Sequence, residues 1–162
     1  MRVEELTDEQ WQVWRDLRLE ALLDTPIGFG ELHADALCKT DEDWQAVPRR
    51  PGLQLLAWDG DRPVGMAGGF RREDGTPVLY AVYVQPAARG GAGLELLVDR
   101  VVAWCAPEPL VLDVHVDNHR AHAAYLKLGF VDTGGRTDGG GIDGRGLVEM
   151  IRRPPVLGEV SD

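Results

Sequence analysis

Between Asp113 and Tyr125 the chain sets four chemically capable side chains at strand and helix spacing. Asp113 interrupts a strand made otherwise of leucine and valine, and His115, two residues on, shares its face. A carboxylate and an imidazole on one side of a sheet are both able to act as a general base toward a reacting group. Asn118 and Tyr125 are seven residues apart, close to two helical turns, which puts an amide and a phenol on one helix face with Ala121 between them. A small residue there leaves room for a ligand. Upstream, Gly90, Gly91 and Gly93 strip the side chains from the mouth of a helix. Uncapped N–H groups and the positive end of the helix dipole favour an anion at such a place, although a plain tight turn uses the same glycines.

These residues need elements to hold them. "MRVEEL" reads as a first strand, and Thr7 as the N-cap of a helix whose inner face is Trp11, Trp14, Leu17, Arg18, Ala21 and Leu22, closed by Pro26 and Gly28. "FGELHADALC" and "TDEDWQAV" give shorter helical pieces, the second capped by Thr40. Three strands follow between Leu53 and Val84, separated by Asp59-Gly60-Asp61 and Asp74-Gly75, as an antiparallel meander. A helix from the glycine loop to about Trp104, the strand "PLVLDVHV", a helix from Asn118 to Leu128 stopped by Gly129, and the strands "FVDTG" and "LVEMIRR" complete the chain. The order β-α-α-β-β-β-α-β-α-β-β predicts a mixed α+β domain: about seven strands with helices on both faces, spanning residues 1–162. Residues 134–146, with seven glycines, read as a mobile hairpin loop, and 154–162 as a C-terminal tail.

At 162 residues with 44% hydrophobic content the chain suits one domain with a proper core. Seventeen basic against twenty-seven acidic residues, a net charge of −10, argue against nucleic acid or an anionic membrane as partner. No apolar run is long enough to span a bilayer, and the charged N-terminus is unlike a signal peptide, so a cytoplasmic protein is expected. Cys38 and Cys105 lack metal-type spacing and read as reduced core residues, with no metal site.

The glycine loop fits neither common nucleotide motif. No lysine stands near Gly93, as a nucleotidase loop requires, and a dinucleotide fold needs a third glycine where Leu96 stands and a parallel sheet before it. The two motifs together resemble the GNAT superfamily, the Gcn5-related N-acetyltransferases. The first is Val82-x-Val84-x-Pro86-x-x-Arg89-Gly90-Gly91-Ala92-Gly93; the second, more specific, is Leu112-x-Val114-x-x-x-Asn118-x-x-Ala121-x-x-x-Tyr125-x-Lys127-x-Gly129-Phe130. "WRDLRLEALLDTPIGFG" with the later "EDW" is similar to a bacterial branch of that superfamily. The loop is one residue shorter than the usual family pattern.

This resemblance implies a centrally splayed sheet and acetyl-CoA as cosubstrate, held between the strands that end near Val84 and Val116. It implies main-chain contacts from Val82 and Val84 to the pantetheine arm, and a pyrophosphate wrapped by Arg89, Gly90, Gly91, Ala92, Gly93 and Leu94. Asn118 is implied to contact the pantetheine region, and the Tyr125 hydroxyl to protonate the departing thiolate. Asp113 matches the position of the basic Glu in the ribosomal-protein N-acetyltransferases, one methylene shorter; His115 is the second candidate base. The acceptor site falls around Phe29, Trp44, His115 and the loop after Gly134. The implied acceptor is a primary amine, a small molecule or a peptide N-terminus. Residues 1–60, with thirteen acids and six bases, lean toward a cationic one. A homodimer is compatible with this reading, and a non-catalytic acyl-CoA-binding or regulatory module of the same fold is its rival.

Overall fold

A computed structural model describes residues 1–155; the rest of the expected 154–162 tail lies outside the described residues. Seven strands form one sheet: β1 (Arg2–Glu5), β2 (Leu53–Asp59), β3 (Arg62–Arg71), β4 (Pro77–Val84), β5 (Leu110–His115), β6 (Val131–Thr137) and β7 (Leu147–Arg152). They lie in the order β1-β2-β3-β4-β5-β7-β6. β1 to β4 are an antiparallel meander, β5, β7 and β6 a second antiparallel group, and a parallel contact between β4 and β5 joins the two.

That contact is a single register pair, Val78 with Val111. Beyond it the C-terminal halves of the two strands diverge, so the sheet is split at its centre. Just past the split, Ala81 adopts φ 54°, a left-handed conformation costly for any residue with a Cβ, where β4 bulges against Ala67 of β3.

The helices are α1 (Trp11–Asp24), α2 (His33–Leu37), α3 (Asp41–Gln45), α4 (Gly93–Cys105) and α5 (His119–Lys127). Leu55 and Leu56, neighbours in β2, are both fully buried on opposite faces, which is why the strand reads as a continuous apolar run. Leu55 joins the core under α4, with Leu97, Val98 and Val101, against which Ala121, Tyr125 and Leu128 of α5 also pack. Leu56 joins the core under α1, with Trp14, Leu17 and Ala21. Truncating any of these buried leucines to alanine costs about 2–5 kcal/mol.

Three details depart from the sequence reading. The turn after Thr7 is a 3₁₀ segment, Asp8–Gln10, with the Thr7 N–H donating to the Gln10 side chain at 3.0 Å, and the α-helix begins only at Trp11. The two short helical pieces expected at "FGELHADALC" and "TDEDWQAV" are the separate single turns α2 and α3. Residues 134–137, expected as loop, extend β6: after an irregularity beyond Asp132 its pairing with β7 resumes at Arg136 and runs to Thr137 opposite Leu147. Of the cysteines, Cys105 is buried and free, but Cys38 is free and exposed at the end of α2 rather than in the core. No helix among the described residues is long and apolar enough to cross a membrane.

Candidate functional site

The split between β4 and β5 opens a cleft of about 260 Å³. Val82 and Val84 line it from one strand, Asp113 and His115 from the other, and Asn118, Ala121 and Tyr125 from α5. Asn118 caps α5, its Oδ1 accepting from the Ala121 N–H at 3.3 Å. The far end of α5 closes with Gly129 at φ 90°, the Phe130 N–H donating to the Tyr125 carbonyl (3.0 Å) and the Gly129 N–H to Leu126 (3.1 Å). This pair of bonds is a Schellman stop, and it brings the Phe130 ring edge-on to Tyr125. The Tyr125 hydroxyl has no hydrogen-bond partner among the described residues, and burial pushes the phenol above its ordinary range.

The glycine loop divides by position. Gly90, at φ 85° with nothing within 4 Å of a Cβ, and Gly91 both face the cleft. Gly93 is buried in the first turn of α4 against the Met1 side chain, and neither it nor Ala92 lines the cleft; Leu94 does. Arg89 donates from Nε to the Val84 carbonyl at 3.0 Å and from Nη2 to Asp24 at 2.6 Å. Hydrogen bonding from Arg89 holds the Asp24 carboxyl below the usual range. A second cation, Arg120, lines the same cleft, 3.8 Å from Asp24 and bonded to the Thr25 hydroxyl at 3.1 Å. The cleft is thus apolar along Val82, Val84, Ala88, Ala121 and Ala124, with two guanidinium groups on its lining.

A second cleft, about 570 Å³, lies on the other side of the split and meets the first at Gly28, Phe29, Asp113 and His115. Its walls are largely apolar, with Phe29, Phe70, Tyr80 and, from the glycine-rich segment, Gly141 and Ile142. Asp113 therefore stands at the junction. Its Oδ2 accepts from Arg72 at 3.1 Å, and Arg72 also reaches Glu149, the cross-strand partner of Asp113, at 3.5 Å. His115 is buried with both nitrogens engaged: Nδ1 accepts the Asp117 N–H (3.0 Å) and Nε2 faces Asp143 (2.7 Å). That arrangement fixes the Nε2–H tautomer, and bonding from His115 holds the Asp143 carboxyl low.

Phe29 lies at the junction with the Arg18 guanidinium 4.6 Å over its ring. Trp44, placed with it on sequence, is instead a core residue, 4% exposed, and touches neither cleft; it borders a smaller recess beside the second. Sequence reasoning missed Thr25, Gly28, Arg120 and Ala124 on the first cleft and Phe70 and Tyr80 on the second. Ala124 had a signal, since it lies three residues from Ala121 on the same helix face. Arg120 had none, because helix spacing does not say which neighbour crosses toward the loop.

The family model for the acetyltransferase (GNAT) family matches residues 4–130. The chain belongs to the GNAT acetyltransferase family. Outside the matched GNAT region lie β6 and β7, the segment that brings Gly141, Ile142 and Leu147 to the second cleft. Solved structures of GNAT acetyltransferases share the fold at low identity. The ribosomal-protein-alanine N-acetyltransferase of Brucella melitensis is 18% identical, with a TM-score of 0.78 over 95% of this chain and 100% of its own. The yncA protein of Salmonella typhimurium, solved with its cofactor acetyl-CoA, is 17% identical with a TM-score of 0.73, covering 100% and 99%. A phosphinothricin acetyltransferase of Sinorhizobium meliloti, in complex with AcCoA, is 16% identical with a TM-score of 0.72, covering 99% and 90%. A search of curated proteins returned no match.

Proposed function

We propose that this protein is an N-acetyltransferase that binds acetyl-CoA in the cleft between β4 and β5 and passes the acetyl group to a primary amine presented from the second cleft. Acetyl-CoA supplies an activated thioester, open to direct attack by an unprotonated amine without a covalent enzyme intermediate. The observation that carries the reading is the meeting of the two clefts at Phe29 and Asp113, with the unpartnered Tyr125 hydroxyl lining the first.

The residues present fit that group. Apolar walls suit the pantetheine arm, the bare backbone at Gly90 and Gly91 admits a pyrophosphate, and Arg89 and Arg120 offer it positive charge. Arg89 is held in place beforehand by Asp24 and the Val84 carbonyl, so in this reading it serves as a preformed anion contact. Val82 and Val84 bound the arm through main chain and Asn118 orients it. Leu94 supports the loop from α4, whereas Ala92 and Gly93 shape it without contact.

Asp113 is the group that takes the amine proton, directly or through one water, with Arg72 fixing its carboxylate. His115 positions the junction, since both of its nitrogens are already bonded. The Tyr125 phenol stays protonated and donates to the sulfur as the thiolate leaves. The acceptor is a small molecule or a peptide N-terminus.

The ion pair between Arg72 and Asp113 favours a second reading, a non-catalytic acyl-CoA-binding module, because it engages the one junction carboxylate. Calorimetric titration of acetyl-CoA followed by thiol release over a panel of amines separates the two. Binding with amine-dependent release supports the enzyme; binding without release on any amine supports the module.

A further inference from the structure

Beside the second cleft lies a recess of about 210 Å³ that shares Arg18, Gly30, Tyr80 and Ala81 with it as common wall. Its charge is opposite to that of the protein. The chain carries −10 overall, yet Arg18, Lys39 and Arg50 line this recess against one acid, Glu31. Glu31 is already shared, accepting from Arg18 Nε at 3.3 Å and lying 2.6 Å from Lys39 Nζ. Arg50 has no acidic partner among the described residues. The two paired cations are also held over aromatic rings, Arg18 on Phe29 and Lys39 on Trp44 at 4.9 Å.

Resting on the acetyltransferase reading above, we infer that the acceptor amine carries a carboxylate at its far end, seated in the recess of Arg18, Lys39 and Arg50, with an apolar or aromatic body lying along Phe29, Phe70 and Tyr80. The three spaces adjoin in series: the first cleft shares Asp113 with the apolar second cleft, and the second cleft shares Arg18 with the cationic recess. An amine placed at Asp113 points the rest of its molecule along the aromatic walls toward Arg18. Burial holds the Arg18 guanidinium below its ordinary range despite Glu31, a sign that one carboxylate does not fully offset its desolvation. The substrate is therefore anionic at the end remote from the reacting nitrogen, although the acidity of residues 1–60 favoured a cation. Those acids lie largely elsewhere, and Asp24 is spent on Arg89 and Arg120.

The test uses three amines of one shape: para-(aminomethyl)benzoate, para-methylbenzylamine and para-xylylenediamine. Acetyl-CoA-dependent thiol release should rank the carboxylate first and the diamine last, with roughly tenfold or more in kcat/KM between the ends, as a charge-assisted contact provides. Arg50→Glu should reverse the order through KM, and Arg50→Lys should keep it. Equal rates, a preference for the neutral amine or the diamine, or an order untouched by Arg50→Glu would overturn the inference. A second arm needs no turnover: with CoA present, para-toluate should bind by calorimetry roughly tenfold tighter than para-toluamide, and lose that advantage in Arg50→Glu. If toluate shows no advantage, the recess is not a carboxylate site. If it does and no amine releases CoA, the recess stands and the acetyltransferase reading fails.

Discussion

The ring of Tyr125 stands edge-on to Phe130, centroids 5.6 Å apart and planes at 65°, held there by the Gly129 stop of α5. The hydroxyl is thus aimed by a fixed ring rather than by a hydrogen bond. Tyr125→Phe keeps that ring and removes only the proton donor. Turnover should fall at least about a hundredfold if chemistry limits the rate, with acetyl-CoA affinity and Tm near those of the parent. Because burial raises the phenol above its ordinary value of 10.0, it stays protonated throughout the range below that, and the rate should show no falling limb from it there. A lost Tm with normal kcat would make the tyrosine structural.

Asp113→Asn keeps an oxygen for Arg72 and removes the proton acceptor. On this account kcat falls roughly a hundredfold, while a partly exposed ion pair costs at most about 1 kcal/mol of stability. Steady-state kinetics beside a melting curve reads both. An unchanged kcat and pH profile would place the base elsewhere.

Gly91 is the loop glycine to substitute, since a Cβ there meets nothing nearer than the Ala88 carbonyl at 3.4 Å, whereas Gly90 sits at positive φ. Acetyl-CoA should raise the Tm of the parent by binding the native state, and Gly91→Val should abolish that shift while its own Tm stays close to the parent's. A full shift in the variant would reduce the loop to a turn.

Asp24 titrates lower in the fold than its ordinary 3.8, first because Arg89 bonds to it. Its stabilising contribution is complete above that ordinary value and disappears as pH falls through the lower folded one, because the unfolded chain takes up the proton first. Tm measured from pH 6 down to about 3 should therefore decline below about 4, and less steeply in Asp24→Asn. Identical slopes would mean the pair with Arg89 contributes nothing.

Much of this site is legible in the sequence because local rules dictate it. An asparagine cap and a glycine stop mark the ends of α5 locally, and the seven-residue spacing of Asn118 and Tyr125 puts both on one face. Asp113 stood out because a carboxylate breaks an apolar strand. What escaped depends on tertiary packing. Nothing about an alanine announces the left-handed bulge at Ala81, and on a single-turn helix Trp44 has no periodicity to reveal that it faces the core. Glycines 134 and 135 read as loop, yet they form a bulge within β6, since pairing with β7 resumes at Arg136 beyond them. Gly93 looked like part of the anion site, and Met1, distant in sequence, packs over it instead.

Direct transfer at the meeting of the two clefts is the step on which every role assigned above depends. Mixing the protein with acetyl-CoA and a limiting amine, quenching over time, and reading products and intact protein by mass spectrometry tests that step itself. The prediction is CoA and acetylated amine in equal amounts, formed only when amine is present, with the protein mass unchanged throughout. An acetylated protein that forms and decays at the rate of turnover, or CoA release indifferent to every amine offered, would contradict it.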